Sequence, residues 1–240
     1  MVLLTADGWL FLMRWFHFLA GITWIGLLYY FNLVQTPFFA ETEPPVRSGA
    51  IQKLVPRALW WFRWSAMFTF VTGLLIILHR LGQMGWSAWW NVTYGWAISL
   101  GGLLGTVMFL NVWLVIWPNQ KVVIANALQT AKGGPAIADA AARGRRGALA
   151  SRTNVVLSIP MLFYMGAASH LPALVRPNSG GKAWMAILSL VILALVEANA
   201  LVGTQGATKK PLDTIPGTLA AGFILALVYY FLFEIFLRSM

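Results

Sequence analysis

Long apolar runs alternate with short polar segments along the whole chain, and this pattern predicts helices that cross a membrane. Each run is close to the ~20 residues that a helix needs to span the hydrocarbon core. The runs are residues 9–34, 59–79, 94–117, 153–174, 184–202 and 215–237. Because no polar segment is long enough for a separate soluble domain, we predict an all-α, polytopic membrane bundle of six transmembrane helices. Residues 1–240 then form a single integral membrane domain.

The longest polar segment joins the third and fourth apolar runs, at about residues 119–152. Gly133, Gly134 and Pro135 interrupt it near its middle. Proline suits the first turn of a helix, so the Ala-rich stretch after Pro135 predicts a new helix. We expect two short helices here, outside the membrane.

Basic residues are distributed unevenly between alternate segments. The chain has 17 Lys and Arg against 7 Asp and Glu, a net charge of +10. Eleven of the basic residues follow the first, third and fifth apolar runs, whereas four lie in the segments on the opposite side. The positive-inside rule then predicts that the richer loops are cytoplasmic and that both termini are periplasmic, in a bacterial inner membrane. We expect the basicity to serve orientation and contact with anionic lipid, and no nucleic-acid binding.

Cysteine is absent from the sequence. This excludes disulfides, thiolate metal sites, iron–sulfur clusters and covalent c-type haem attachment within this polypeptide. Any redox cofactor would therefore be held by histidine or methionine.

Three histidines lie in or beside apolar runs, and the predicted topology sends all of them towards the periplasmic face. His17 is about 12 Å and His170 about 6 Å from that face at ~1.5 Å per residue, while His79 lies at the boundary. Intramembrane histidines that converge on one leaflet suit a bis-histidine haem b. We predict His17 and His170 as the axial ligands of the iron, with His79 in reserve. The alternative is that each histidine only hydrogen-bonds to a neighbouring helix.

Residues one helical turn from the predicted ligands support the haem hypothesis. Gly21 follows His17 by four residues and Gly166 precedes His170 by four, so each would flatten the helix surface where a porphyrin lies. Arg14 shares the face of His17 and could bind a haem propionate. Glu234 could instead neutralise Arg14.

Arg63 and Glu197 form a second depth match, because both lie about six residues from the cytoplasmic boundary. A buried ion pair is the simpler interpretation of the two. A proton path from the cytoplasm is the alternative.

Three stretches of the chain carry a recognisable motif pattern. They are residues 14–26 with Arg14-Trp15-Phe16-His17, residues 58–73 with Arg63-Trp64 and Thr72-Gly73, and residues 151–172 with Arg152-Thr153-Asn154, Pro160 and Ser169-His170. These stretches resemble the membrane domain of the bacterial urate hydroxylase family, also called the urate oxidase N-terminal domain. The resemblance extends from Trp9 to Pro172. The first and third stretches are also distantly similar to haem-binding membrane proteins of the protoporphyrinogen oxidase type.

The resemblance implies a membrane redox protein whose full-length relatives carry an outward-facing cytochrome c domain. This sequence has no Cys-x-x-Cys-His motif, so the implied electron carrier is a separate polypeptide. It also has Thr153 where the family pattern has a histidine. Composition and spacing by themselves predict no purine site.

We therefore expect an inner-membrane haem b protein that exchanges electrons with a c-type cytochrome or a quinone. Urate oxidation is a narrower form of this function. The alternative is a non-catalytic accessory subunit of a larger respiratory or photosynthetic membrane complex, in which the histidines are structural. A transporter is disfavoured, because the sequence shows no inverted repeat.

Overall fold

The structure is a computed structural model that describes residues 1–171 and 179–237. These residues form helices and turns, with no strand among them. Arg176 and Arg238, which enter the charge count above, and the predicted end of the fourth span at Leu174 lie outside the described residues. The α-helices are α1 Ala6–Tyr29, α2 Thr36–Glu41, α3 Pro44–Met84, α4 Trp86–Trp90, α5 Thr93–Leu110, α6 Trp117–Ala131, α7 Ala140–His170, α8 Ser179–Leu201 and α9 Ile215–Leu237.

Five helical stretches in the described part of the chain are long and apolar enough to cross a membrane. They are Ala6–Glu41, Pro44–Met84, Thr93–Ala131, Gly180–Leu201 and Ile215–Leu237. The predicted polytopic helical bundle is thereby confirmed, and the protein is a multi-pass membrane protein.

The fourth predicted span, in α7, is not one of these five, because polar residues lower its hydropathy. Its packing shows where it lies. A Cβ atom on Gly101 of α5 would be 3.3 Å from Met165 Cε of α7, and Asn111, just beyond the end of α5, bonds Asn154 of α7. Because α5 and α7 touch along their length in opposite directions, α7 passes through the same depth as α5.

Helix α7 is the centre of the bundle. It contacts α1, α5, α6, α8 and α9, and the seven consecutive residues 152–158 are all buried. The polar side chains of α7 at residues 152–158 are therefore covered by other helices, whereas large apolar side chains elsewhere face outwards. Phe18 and Ile22 of α1, Leu195 of α8 and Ile235 of α9 are exposed in this way. Such faces meet lipid.

Two π-helical segments interrupt otherwise continuous helices. Tyr30–Gln35 joins α1 to α2, and Asn111–Ile116 joins α5 to α6. Pro37 and Pro118 follow these segments at the second position of the next helix. Proline has no N–H and its ring clashes with the carbonyl four residues earlier, so a wider turn before it relieves both problems.

The structure at residues 119–152 differs from the predicted pair of short helices. The break falls at Gly133 and Gly134, as expected, and Gly133 adopts a φ of 80° that favours glycine. Neither flanking helix is short or separate, however. The first is α6, which continues the helical stretch that begins at Thr93, and the second is the start of α7.

We name the two ends of the bundle by their residues. The basic end holds the turns at residues 132–139 and 202–214, with Arg145 and Lys209 beside them. The distal end holds the start of α1 and the end of α7 at His170.

Candidate functional site

His17 lies between α1 and α3. Its Nδ1 is 3.1 Å from Thr72 Oγ1, and the Thr72 hydroxyl donates to the Phe68 carbonyl at 2.6 Å. The hydroxyl therefore accepts from His17, so Nδ1 carries the proton and Nε2 keeps its lone pair. Gly73 makes room for the ring, since a Cβ atom there would be 3.0 Å from His17 Cε1. An oriented imidazole with a free Nε2 is what a metal ligand requires.

His170 also lies towards the distal end, but in surroundings different from those of His17. Tyr29 Oη of α1 is 2.9 Å from Ser158 Oγ of α7. His17 and His170 are each twelve residues from that contact towards the distal end, which is about 18 Å at ~1.5 Å per residue. His170 is exposed, however, and a Cβ atom on Gly166 would meet nothing within 4 Å. No polar contact joins the two imidazoles.

The other residues of the predicted haem site do not gather around His17. His79 Nε2 is buried without a partner, and Arg14 is half-buried with no hydrogen bond or ion pair to the described residues. A Cβ atom on Gly21 would be 3.9 Å from Thr69 Cγ2, so this glycine faces α3. Of the predicted ligands, His17 thus has an imidazole oriented as haem ligation requires. The pairing of His17 with His170 as axial ligands stays a prediction.

Arg63 and Glu197 do not form the predicted ion pair. Arg63 Cζ lies 3.4 Å from the centroid of the Trp117 ring, and its Nε donates to the Leu59 carbonyl of its own helix at 3.2 Å. Glu197 Oε2 accepts a hydrogen bond from Asn111 instead. A cation–π contact with Trp117 therefore replaces the carboxylate as the partner of the guanidinium.

Asn111, the first residue of the second π-helical segment, joins three helices. Its Nδ2 donates to Asn154 Oδ1 of α7 at 3.0 Å and to Glu197 Oε2 of α8 at 3.1 Å. Asn154 Nδ2 in turn donates to the Met108 carbonyl at 3.0 Å. This asparagine network is buried, and one of its atoms, Glu197 Oε1, has no partner.

The first π-helical segment makes a similar contact with α7. Asn32 Nδ2 donates to the Leu28 carbonyl and to Ser151 Oγ, both at 2.8 Å. Both π-helical segments thus present a buried asparagine to α7. Since π-helical turns are frequent at functional sites, this end of α7 is a stronger candidate than the histidines.

A cavity of about 270 Å³ opens at the basic end, between the first π-helical segment, α3 and α7. Phe31, Leu59 and Phe62 form apolar walls, and the polar lining comes from Asn32, Gln35, Ser151, Arg145, Arg152 and Asp213. Arg145 is paired with Asp213 at 2.7 Å. Arg152 Nη1 donates to the Leu212 carbonyl at 3.2 Å, and Gln35 Oε1 is buried without a partner.

The chemistry of this cavity suits a small, flat anion. The remaining N–H groups of Arg152 can donate to an anionic oxygen, and guanidinium groups match such oxygens in pairs. The amide of Gln35 offers a further polar contact. The aromatic and aliphatic walls suit a flat ring.

Sequence reasoning missed the residues at the basic end that join the helices. Asn32, Asn111 and Asn154 are neutral, whereas the sequence-based site hypotheses centre on ionisable residues. A usable signal existed, because Asn32 and Asn111 each lie inside an apolar run a few residues before a proline.

The fold and these contacts define a polytopic helical membrane protein with a polar interior at its basic end. A family model described as urate oxidase N-terminal matches residues 86–233, more than half of the chain. The chain therefore belongs to the urate oxidase N-terminal family, which confirms the resemblance found in the sequence. No curated protein and no solved structure matched.

The matched residues differ from those that first suggested the family. They cover α4 to α9, so the match extends beyond Pro172, where the sequence resemblance ended. They leave out α1 and α3, which carry His17 and Arg63. Arg145, Ser151 and Arg152 of the cavity fall within the match, whereas Asn32 and Gln35 fall outside it.

Proposed function

We propose that this protein is the membrane component of a urate-oxidising redox system and that its basic-end cavity binds the urate anion. The observation that carries the proposal is Arg152, a buried cation that lines the cavity beside its apolar walls and forms no ion pair, because Asp213 in the same lining is paired with Arg145. Membership of the urate oxidase N-terminal family supplies the identity of the anion. Urate is flat and negatively charged at neutral pH, and it offers oxygen and nitrogen atoms to Arg152 and Gln35.

Oxidation of urate releases electrons that this chain must pass on. A separate c-type cytochrome or a quinone is the acceptor in our proposal. Haem b, bound through Nε2 of His17, would supply one-electron chemistry in the distal half of the bundle. Thr72 would hold the imidazole of His17 in the required orientation.

Binding of urate to the purified protein tests the cavity. We expect Arg152→Gln to weaken the affinity for urate by roughly tenfold to a hundredfold, the usual effect of losing a hydrogen bond to a charged group. Arg63→Gln is the matched control, because Arg63 is also a membrane-embedded arginine but contacts Trp117, outside the cavity. Equal losses in both variants would contradict the assignment.

A reduced-minus-oxidised absorption spectrum with a haemochrome assay tests the cofactor. We expect a b-type signal that His17→Ala removes and that His170→Ala leaves in place, since His170 is exposed and shares no contact with His17. A colourless, folded protein that binds no urate would overturn the proposal. It would favour the alternative of an accessory subunit in a larger membrane complex.

We also propose that the basic end faces the cytoplasm of a bacterial inner membrane, because the excess of Lys and Arg lies there. The absence of native cysteine makes this easy to test. A single cysteine introduced at Ala138 should react with a membrane-impermeant thiol reagent only in inverted vesicles. One introduced at Gln83, at the distal end, should react only in intact cells, and the reverse result would invert the topology.

A further inference from the structure

Glu197 is a carboxyl group in the interior of the bundle that the proposed function does not use. It lies on α8, and its Oε2 accepts one hydrogen bond, from the neutral amide of Asn111 at 3.1 Å. Its Oε1 is buried and has no partner. A single neutral donor does not replace the water that an ionised carboxylate loses on burial.

No cation of the neighbouring elements is bonded to Glu197. Arg63 stacks on Trp117, and Arg152 of α7 donates to the Leu212 carbonyl. Lys209, in the segment between α8 and α9, donates to the carbonyls of Asn199 and Val202. The titratable groups of α9 and the distal part of α7 are Tyr229, which donates to the Ser189 carbonyl, together with Tyr164, Tyr230, Glu234 and the exposed His170.

The surroundings of Glu197 therefore favour the neutral carboxylic acid, in which the proton is bound to Oε1. The ionised form is stable only while a positive charge is near. A group with this property binds and releases protons in response to charge in its surroundings. Water is close enough for exchange, because α8 ends at Leu201, one helical turn or about 6 Å from Glu197.

We propose that Glu197 is a reversible proton-binding site inside the membrane domain, in exchange with water at the basic end of α8. The asparagine network holds the carboxyl in place, since Asn154 fixes Asn111 and Asn111 donates to Oε2. The second π-helical segment is what brings Asn111 within reach of both α7 and α8. This proposal depends neither on urate binding nor on haem.

Labelling with a hydrophobic carbodiimide tests the proposal, because the reagent adds to protonated carboxyl groups within apolar surroundings. The full-length protein in detergent is labelled across a range of pH, and the modified residue is identified by mass spectrometry. Exposed Glu41 corrects for the reactivity of the reagent itself. We expect labelling at Glu197 that is fast at low pH and falls about tenfold per pH unit above a midpoint.

The labelling is repeated with two variants and in the presence of Na⁺. Glu197→Gln should abolish the label, whereas Glu234→Gln, which removes another carboxyl from a spanning helix, should leave labelling at Glu197 unchanged. Labelling that never occurs, or that occurs equally at every pH, would overturn the proposal. Protection by Na⁺ at constant pH would also overturn it, in favour of a sodium site. The measurement on the unmodified protein decides the matter even if Glu197→Gln does not fold.

Discussion

The two ends of the bundle differ in what joins their helices. At the distal end, His17 and Thr72 form the one hydrogen bond between the side chains of α1 and α3 recorded for the described residues, and His170 stands exposed. At the basic end, Asn32, Asn111 and their partners join both π-helical segments to α7 and α8 by side-chain hydrogen bonds.

The residues that look functional in the sequence are therefore not the ones that make most contacts between helices. Histidine and arginine are the first candidates in an apolar run because they are ionisable. In this bundle, however, neutral amide and hydroxyl groups make most of the side-chain hydrogen bonds between helices described above, with His17 and Glu197 as partners in two of them. Such groups are inexpensive to bury once they are paired, so they can be placed where several helices meet.

Overpacking the contact between α7 and α9 is expected to have the largest effect on the free energy of unfolding. Gly222 of α9 fits against the middle of α7, where a Cβ atom would be 2.4 Å from Ile159 Cδ1 and 3.1 Å from the Val156 carbonyl oxygen. We expect Gly222→Leu to lower the free energy of unfolding by about 3 kcal/mol or to prevent folding, because the core is overpacked. Denaturation in mixed detergent micelles measures this.

The same substitution at the distal end of α7 is the control. Gly166 faces open space, so Gly166→Leu should leave the free energy of unfolding unchanged or slightly higher, as leucine also favours helix. Equal losses from the two glycines would show that α7 is packed alike along its length.

Loss of a hydrogen bond in the asparagine network is expected to have the second-largest effect on the free energy of unfolding. Asn154→Leu removes the acceptor of one hydrogen bond from Asn111, whose buried amide N–H then lacks that partner, and it removes one of the two donors to the Met108 carbonyl. We expect a loss of about 1–3 kcal/mol in the free energy of unfolding, the usual cost of an unsatisfied buried group. Ser169→Ala, on an exposed position of the same helix, should cost nothing measurable in the same assay.

The sequence predicted the bundle correctly because long apolar runs leave few alternatives to membrane-spanning helices. It also predicted that His17 and His170 lie towards the same end of the bundle, since position along a helix follows from counting residues. It did not predict which way each side chain points around its helix. That direction decides that His17 meets Thr72, that Arg63 meets Trp117 and that Glu197 meets Asn111.

The cavity could not be predicted for a related reason. Its polar residues come from positions far apart in the sequence, such as Gln35 and Arg152, and the π-helical segments change the rotation of the helix beyond them. The sequence marks such a segment only by a proline that follows it.

Loss of the hydrogen bond between His17 and Thr72 at the distal end is expected to have a smaller effect on the free energy of unfolding. Thr72→Val removes the acceptor for His17 Nδ1, while His17 remains half-buried. We expect a loss of about 0.6 kcal/mol, the average for a side-chain hydrogen bond between membrane helices. A loss equal to that of Asn154→Leu would remove the difference between the two ends.

The smallest effect belongs to the exposed turn between α6 and α7. Arg143 donates to Asp139 at 2.9 Å and so lowers the pKa of that carboxyl below its usual value. A lowered pKa stabilises the fold above the value of the unfolded chain, and this stabilisation is lost as the pH falls through the folded value. Because the pair is exposed, Asp139→Asn should leave thermal unfolding at neutral pH unchanged.

The polarity of α7 bears on how the chain enters the membrane. A segment interrupted by asparagine, threonine, serine and proline partitions poorly into lipid when it is alone. The helices α8 and α9, which cover one side of α7, are synthesised after it. We therefore expect α7 to leave the insertion machinery together with its later partners, so that the order of assembly in the bilayer departs from the order of synthesis on the ribosome.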